Sequence, residues 1–144
     1  MPHNDLTPAF SEAEGALRDF LRQQPAMNSV VAKRIFLGLP RQGPSSWPAI
    51  DMFRVGGGPE DGDYPIDGVH MQFDVWGDKG DKLRCWSVAQ ALVSTLLSLE
   101  CGTMISAGVR FLGVYGINVP YMPDPGTGQA RYVVDCKVQC QAVA

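Results

Sequence analysis

The sequence predicts an α+β domain: an antiparallel four-stranded sheet with two main helices packed on one face, in the order helix, two strands, helix, two strands. Three observations predict it. Two long segments place apolar residues at helical spacing. The segments around Val69–Val75 and Tyr132–Cys140 alternate apolar and polar residues with period two, which marks strands with one buried face. Each strand pair is close enough in sequence to join as a hairpin, and one-sided alternation suits a sheet covered by helices on a single face. At 144 residues with 45% apolar content, the chain is sized for one domain over 1–144. That length buries enough surface to need no disulfide or metal staple.

The first six residues read as a short arm. Thr7 followed by Pro8 is a helix start, a hydroxyl N-cap and then proline at the first helical position. Phe10, Ala13, Leu17, Phe20 and Leu21 make its apolar stripe, and Pro25 ends it near Gln24. Residues 25–34 allow one more helical turn, and Arg34–Leu37 is a short extended piece. A loop rich in glycine and proline over 38–48 leads to a strand from Ala49 to Val55, which Gly56-Gly57-Gly58-Pro59 ends. In the next strand, Gly68 to Trp76, Val69, Met71, Phe73 and Val75 face inward and His70, Gln72, Asp74 and Trp76 outward. Asp78 or Asp81 can cap the second long helix, whose stripe is Leu83, Trp86, Ala89, Leu92, Val93, Leu96 and Leu99. Gly102 ends it.

The third strand lies within 108–119, with Val109, Phe111, Tyr115, Ile117 and Val119 inward. Arg110, Leu112, Val114 and Asn118 lie outward. The fourth, about 129–142, turns Tyr132, Val134, Cys136, Val138 and Cys140 inward and Arg131, Asp135, Lys137, Gln139 and Gln141 outward. The four cysteines contain no C-x-x-C pair. Cys136 and Cys140 fall about 13 Å apart along a strand, beyond the ~7 Å that a disulfide tolerates, so buried free thiols are expected.

Several chemistries are excluded. No apolar run approaches the ~18 residues of a membrane span, and the N-terminus lacks a signal-peptide layout. A net charge of −3 argues against free nucleic acid as the main partner. Of the two histidines, His3 lies in the arm. His70 sits mid-strand with no nucleophile motif beside it, so no catalytic site and no cofactor are expected. The triple glycine lacks the helix N-terminus that a phosphate cradle needs. Asp61-Gly62-Asp63 with Asp67 resembles a calcium loop, but Pro65 and Gln72 occupy positions where ligands are required. A solvated acidic loop of Glu60, Asp61, Asp63 and Asp67, and no metal site, is the expectation. Trp76, out of phase with the buried face of its strand, is either covered by a loop or an interface anchor. Leu112 and Val114, on the nominally wet face, hint at cover by another chain.

The order of certain segments resembles a known family. The opening helix carries Ala16-Leu17-Arg18-Asp19-Phe20-Leu21, followed by Pro25-Ala26-Met27 and Arg34-Ile35-Phe36. Trp47-Pro48-Ala49-Ile50 enters a strand, and Gly57-Gly58-Pro59-Glu60 follows. Then come Val69-His70-Met71-Gln72-Phe73-Asp74-Val75-Trp76-Gly77 and, at the end, Pro123-Asp124-Pro125-Gly126-Thr127-Gly128 before Arg131-Tyr132-Val133-Val134-Asp135. Together they resemble the tail terminator, or tail completion, proteins of long-tailed bacteriophages.

That resemblance implies a structural virion protein and not an enzyme. Six copies would form a ring on the head-proximal end of the tail tube, end its polymerisation and offer the head–tail joining surface. The implied partners are other copies of the chain, the tail tube protein and a head–tail connector or stopper. DNA passes only as non-specific cargo, no membrane is involved, and assembly takes place in the host cytoplasm. A neck or head–tail connector protein is the alternative within the particle, and a small ligand-binding or hydrolytic domain the alternative outside it. Arg54, Trp76, Arg110, Leu112, Asp124 and Arg131 are the expected interface residues, the arginines because guanidinium suits bidentate ion pairs. The acidic loop is expected to face the channel, where it would discourage DNA phosphates from sticking.

Overall fold

The computed structural model describes residues 11–60 and 66–143. Its elements are α1 (Ala13–Arg22), α2 (Pro25–Val31), β1 (Ile35–Phe36), β2 (Ala49–Pro59), β3 (Ile66–Lys79), α3 (Lys82–Ser98), β4 (Met104–Ser106), β5 (Val109–Asn118) and β6 (Gln129–Ala142). The strands form one six-stranded sheet in the order β1-β2-β3-β6-β5-β4. The β1–β2 pair is parallel and all other pairs are antiparallel.

This corrects the expected four-stranded antiparallel sheet with two packed helices. The sheet is mixed, has six strands, curls into a half-barrel and carries three helices. The physical reason lies at the edges. Ile35–Phe36, the expected extended piece, pairs with Ile50 and Asp51 and joins the sheet. Met104–Ser106 adds a further short strand on the other edge. Strands of two or three residues carry too little alternation to be read as sheet members. The curl lets α1 touch β1 and β2 near one edge and β4 at the other.

All three helices cover the same face, and their apolar residues join those of the sheet in one core. Register makes that core continuous. Ile50, Val75 and Tyr132 lie in one row, and Met52, Phe73 and Val134 in the next. The inward positions expected for β3 and β6 are all buried, Val69, Met71, Phe73, Val75, Val134, Val138 and Cys140 fully so, but Asp74, expected outward, is buried as well.

The first helix is described from Ala13, so Thr7, Pro8 and Phe10 lie outside the described residues. Its inward stripe is Ala13, Ala16, Leu17 and Leu21. Pro25 opens α2 in the first helical position, where its missing N–H costs nothing. Gly56–Gly58 does not end β2: the strand runs on to Pro59, with Gly57 opposite Val69. Gly57 has φ +80°, and a Cβ there would stand 1.9 Å from the Gly68 carbonyl oxygen, so glycine is what allows the two strands to approach.

Two expectations shift in phase. In β5, Phe111 pairs with Cys140 and Gly113 with Gln139, so Leu112 is an extra residue, a β-bulge. The bulge turns Val114 onto the core and leaves Tyr115 exposed. A second irregularity between Tyr115 and Asn118 returns Ile117 to the core. In α3 the buried stripe is Cys85, Val88, Ala89, Leu92, Thr95 and Leu96. Leu83 and Trp86, expected inside, are exposed. Asp81 occupies the N-cap position but makes no side-chain cap bond.

The cysteines are free, as expected, and three are buried, while Cys101 is exposed. The Cys85 thiol donates to the Val75 carbonyl at 2.9 Å. Burial pushes its pKa up to about 11 and those of Cys136 and Cys140 up to about 12.

Candidate assembly surfaces

Arg54 and Asp67 share the phase of the buried residues: Arg54 pairs in register with Met71, and Asp67 with Cys140. Both side chains therefore turn under the helices. The guanidinium Nη1 and Nη2 donate to Asp67 Oδ2 and Oδ1 at 2.7 and 2.6 Å, a bidentate fork. Asp67 is fully buried, and the N–H and hydroxyl of Ser11 donate to its Oδ2 as well. Glu14 of α1 accepts the Arg54 backbone N–H at 3.0 Å. The cluster thus ties the start of α1 to the far end of the β2–β3 hairpin. Burial alone would raise the Asp67 pKa, but the bonds from Arg54 and Ser11 hold it below its ordinary value. Bonding to Asp67 raises that of Arg54.

Asp67 thus belongs to β3 and not to the acidic loop. Asp61 and Asp63 lie outside the described residues. Glu60 is held by the Gln139 amide at 2.9 Å and accepts the Tyr115 hydroxyl at 3.3 Å.

The sheet face without helices brings three of the expected interface residues together. The Arg131 guanidinium stacks 4.6 Å from the Trp76 ring centroid, donates from Nε to the Met122 carbonyl at 2.8 Å and lies 3.8 Å from Asp74. Trp76 is half-buried, covered in part by that cation. Nearby, Asp124 accepts the Thr127 hydroxyl at 2.7 Å and its N–H at 3.2 Å, closing its own turn. The Thr127 hydroxyl, then the Gly126 N–H, lower the Asp124 pKa, with a smaller pull from Arg131. Arg110 and Leu112 stand apart from this group: Arg110 donates to the Gln141 amide oxygen at 3.2 Å, and Leu112 is the half-buried bulge residue.

Sequence reasoning missed Asp51, which lies opposite Asp74 across β2–β3 on this open face. Burial, then the neighbouring Asp74, raise the Asp51 pKa against the lowering bond from the Gly38 N–H. Phe53 follows on the same face, half-buried. The signal for both was their phase, opposite to Ile50 and Met52. His70 bonds Asp135 farther along the face.

A groove of about 190 Å³ runs along α3, lined by Trp86, Ala89, Gln90, Val93, Ser94 and Val119. It is apolar and does not include His70. Among the described residues there is no cluster of three metal-ligating side chains and no helix long and apolar enough to cross a membrane.

What the geometry offers is therefore surface: stacked aromatic and cationic groups on an open sheet, and an apolar helix face. Both suit protein contacts. The family model for tail completion protein gp17 matches residues 15–137, and the chain belongs to that family, the structural tail completion proteins of bacteriophages. The fold is similar to that of a chain from the virion of a native gene transfer agent particle. The TM-score is 0.64 and the identity 18%, over 90% of this chain and 98% of the other. No curated protein matches significantly.

Proposed function

We propose that this chain ends tail-tube polymerisation by capping the head-proximal end of the tube as a ring of six copies, after assembly in the host cytoplasm. The ring presents the surface to which the head–tail connector or stopper binds. DNA crosses its hole as non-specific cargo. The family match over most of the chain carries this reading. The open sheet face and the outward apolar residues of α3 support it, because a ring subunit needs unlike surfaces toward its two neighbours. Within the ring, Trp76 and Arg131 serve contacts between proteins, with Asp124 shaping the loop beside them. Arg110 and Leu112 belong to a separate contact along β5. Glu60 faces the channel and repels phosphate.

The test is tube growth. Purified tube protein polymerised with this chain gives tubes of arrested length with one ring density at a single end, seen by electron microscopy. Undiminished elongation with bare ends overturns the proposal. Binding to portal–adaptor complexes with tubes ignored also overturns it, in favour of a connector role.

A further inference from the structure

The helix α3 is apolar on two sides. One side forms the core. The other exposes Leu83 at 81%, Leu97 at 61% and Trp86 at 38% of their surface, beside the groove that Val93 and Val119 line. Exposed Ser87, Gln90 and Ser94 are interleaved with them, so this outer side mixes large apolar and uncharged polar residues, as protein contact surfaces do.

Its charge is also one-signed. From Lys82 to Ser98 the helix has no acidic residue, and its two cations, Lys82 and Arg84, flank Leu83. Lys82 sits over the Tyr121 ring at 4.5 Å. Arg84 has no carboxylate partner among the described residues. It lies near Arg34, whose pKa falls through burial and then through that like charge.

The open sheet face carries a local acidic excess where β2 meets β3, while Arg131 and Lys137 lie on the same face along β6. Asp51 and Asp74 are direct cross-strand neighbours, an arrangement of like charges that destabilises a sheet. Asp74 is buried, accepts the Gln72 amide at 2.8 Å and has Arg131 at 3.8 Å, whereas no cation pairs with Asp51 among the described residues. Phe53 and Trp76 lie on either side along the strands, so acidic charge and aromatic surface are adjacent.

We infer that the outer face of α3 in one copy docks on the open sheet face around Asp51 of a second copy of this chain, with Arg84 meeting Asp51 and Leu83 and Trp86 meeting the aromatic rings. Each patch supplies the charge that the other lacks, and the apolar residues lie next to the charges in both. Neither patch matches itself. The contact is therefore heterologous, repeating head to tail and closing when the rotation permits. The partner assignment rests on charge and apolar complementarity alone. Closure after six copies rests on the ring reading above.

The experiment is sedimentation velocity on the wild type, Arg84→Glu, Asp51→Arg and their equimolar mixture. Wild type associates with rising concentration, and each single variant weakens association about tenfold or more. The mixture regains association beyond either variant alone, because the two variants are complementary at both contacts and can alternate along the assembly. Leu83→Ser, at a site too exposed to disturb the fold, weakens association in the same way, and circular dichroism confirms folding of every variant. Wild-type association left intact by both charge variants, or a mixture that stays monomeric, overturns the inference. So does a wild type that stays monomeric at every concentration. Tube capping separates the two claims: variants that still cap tubes as rings refute this interface and leave the terminator reading standing, whereas a wild type that never caps refutes that reading.

Discussion

The helices α1 and α3 lie on the same face of the same sheet and obey different rules. The first buries Ala13, Ala16, Leu17 and Leu21 and turns charged residues such as Arg18 and Asp19 outward. The second buries a full stripe and still exposes Leu83, Trp86 and Leu97. A one-sided helix is complete once it packs on its sheet. A two-sided one leaves apolar surface in water, where each large side chain forgoes about 1.5–3 kcal/mol of burial. Trp86 still rests on the buried Tyr132 ring at 5.0 Å, so Leu83 and Leu97 are the residues of the outer stripe that the fold itself leaves uncovered, and the proposed contact between copies is what would cover them.

The deepest way to break the α1 side is through its anchor. Asp67→Asn removes the carboxylate charge from the buried fork with Arg54, at an expected cost of about 3–5 kcal/mol, read by urea unfolding. The pH dependence has a definite sign. Because the Asp67 pKa is lower folded than unfolded, its contribution is fully present above the ordinary aspartate value near 3.9. It is lost as pH falls through the lowered folded value. The wild type therefore loses stability in that acidic window, and Asp67→Asn loses less of what remains to it.

Next come the inner stripes. Leu17→Ala in α1 and Leu96→Ala in α3, both fully buried, each cost about 2–5 kcal/mol by thermal or chemical denaturation. The smallest effect sharpens the contrast most. Leu97→Ala, one residue along the same helix, changes monomer stability by no more than about 0.5 kcal/mol. A loss as large as that of Leu96→Ala would abolish the distinction between the two stripes.

The sequence was most informative where alternation ran unbroken. In β3 and β6 the inward residues were legible one by one. β5 was not, because the bulge at Leu112 inverts the phase and so exchanges Val114 for Tyr115 in the core. The phase of α3 was misread toward Leu83 and Trp86 because a helix with two apolar sides offers two stripes to choose from. Strand parity held the clue to Arg54 and Asp67, which share the phase of Met52 and of Val69. Their charge argued for the surface, and only the reciprocal pairing makes the interior tolerable. Trp76, Arg131 and Asp124 were each singled out from the sequence, but their assembly on one face depends on β3 and β6 being neighbours. Asp51 drew no notice, since its significance lies in facing Asp74 across the strands.

The central claim is that the outer side of α3 is covered in the assembled particle. A cryo-electron microscopy map of tail tubes capped by this protein tests it most directly. Leu83, Trp86 and Leu97 are expected to be buried against a neighbouring copy, with Arg84 beside that copy's Asp51. A ring in which these side chains face solvent would contradict it.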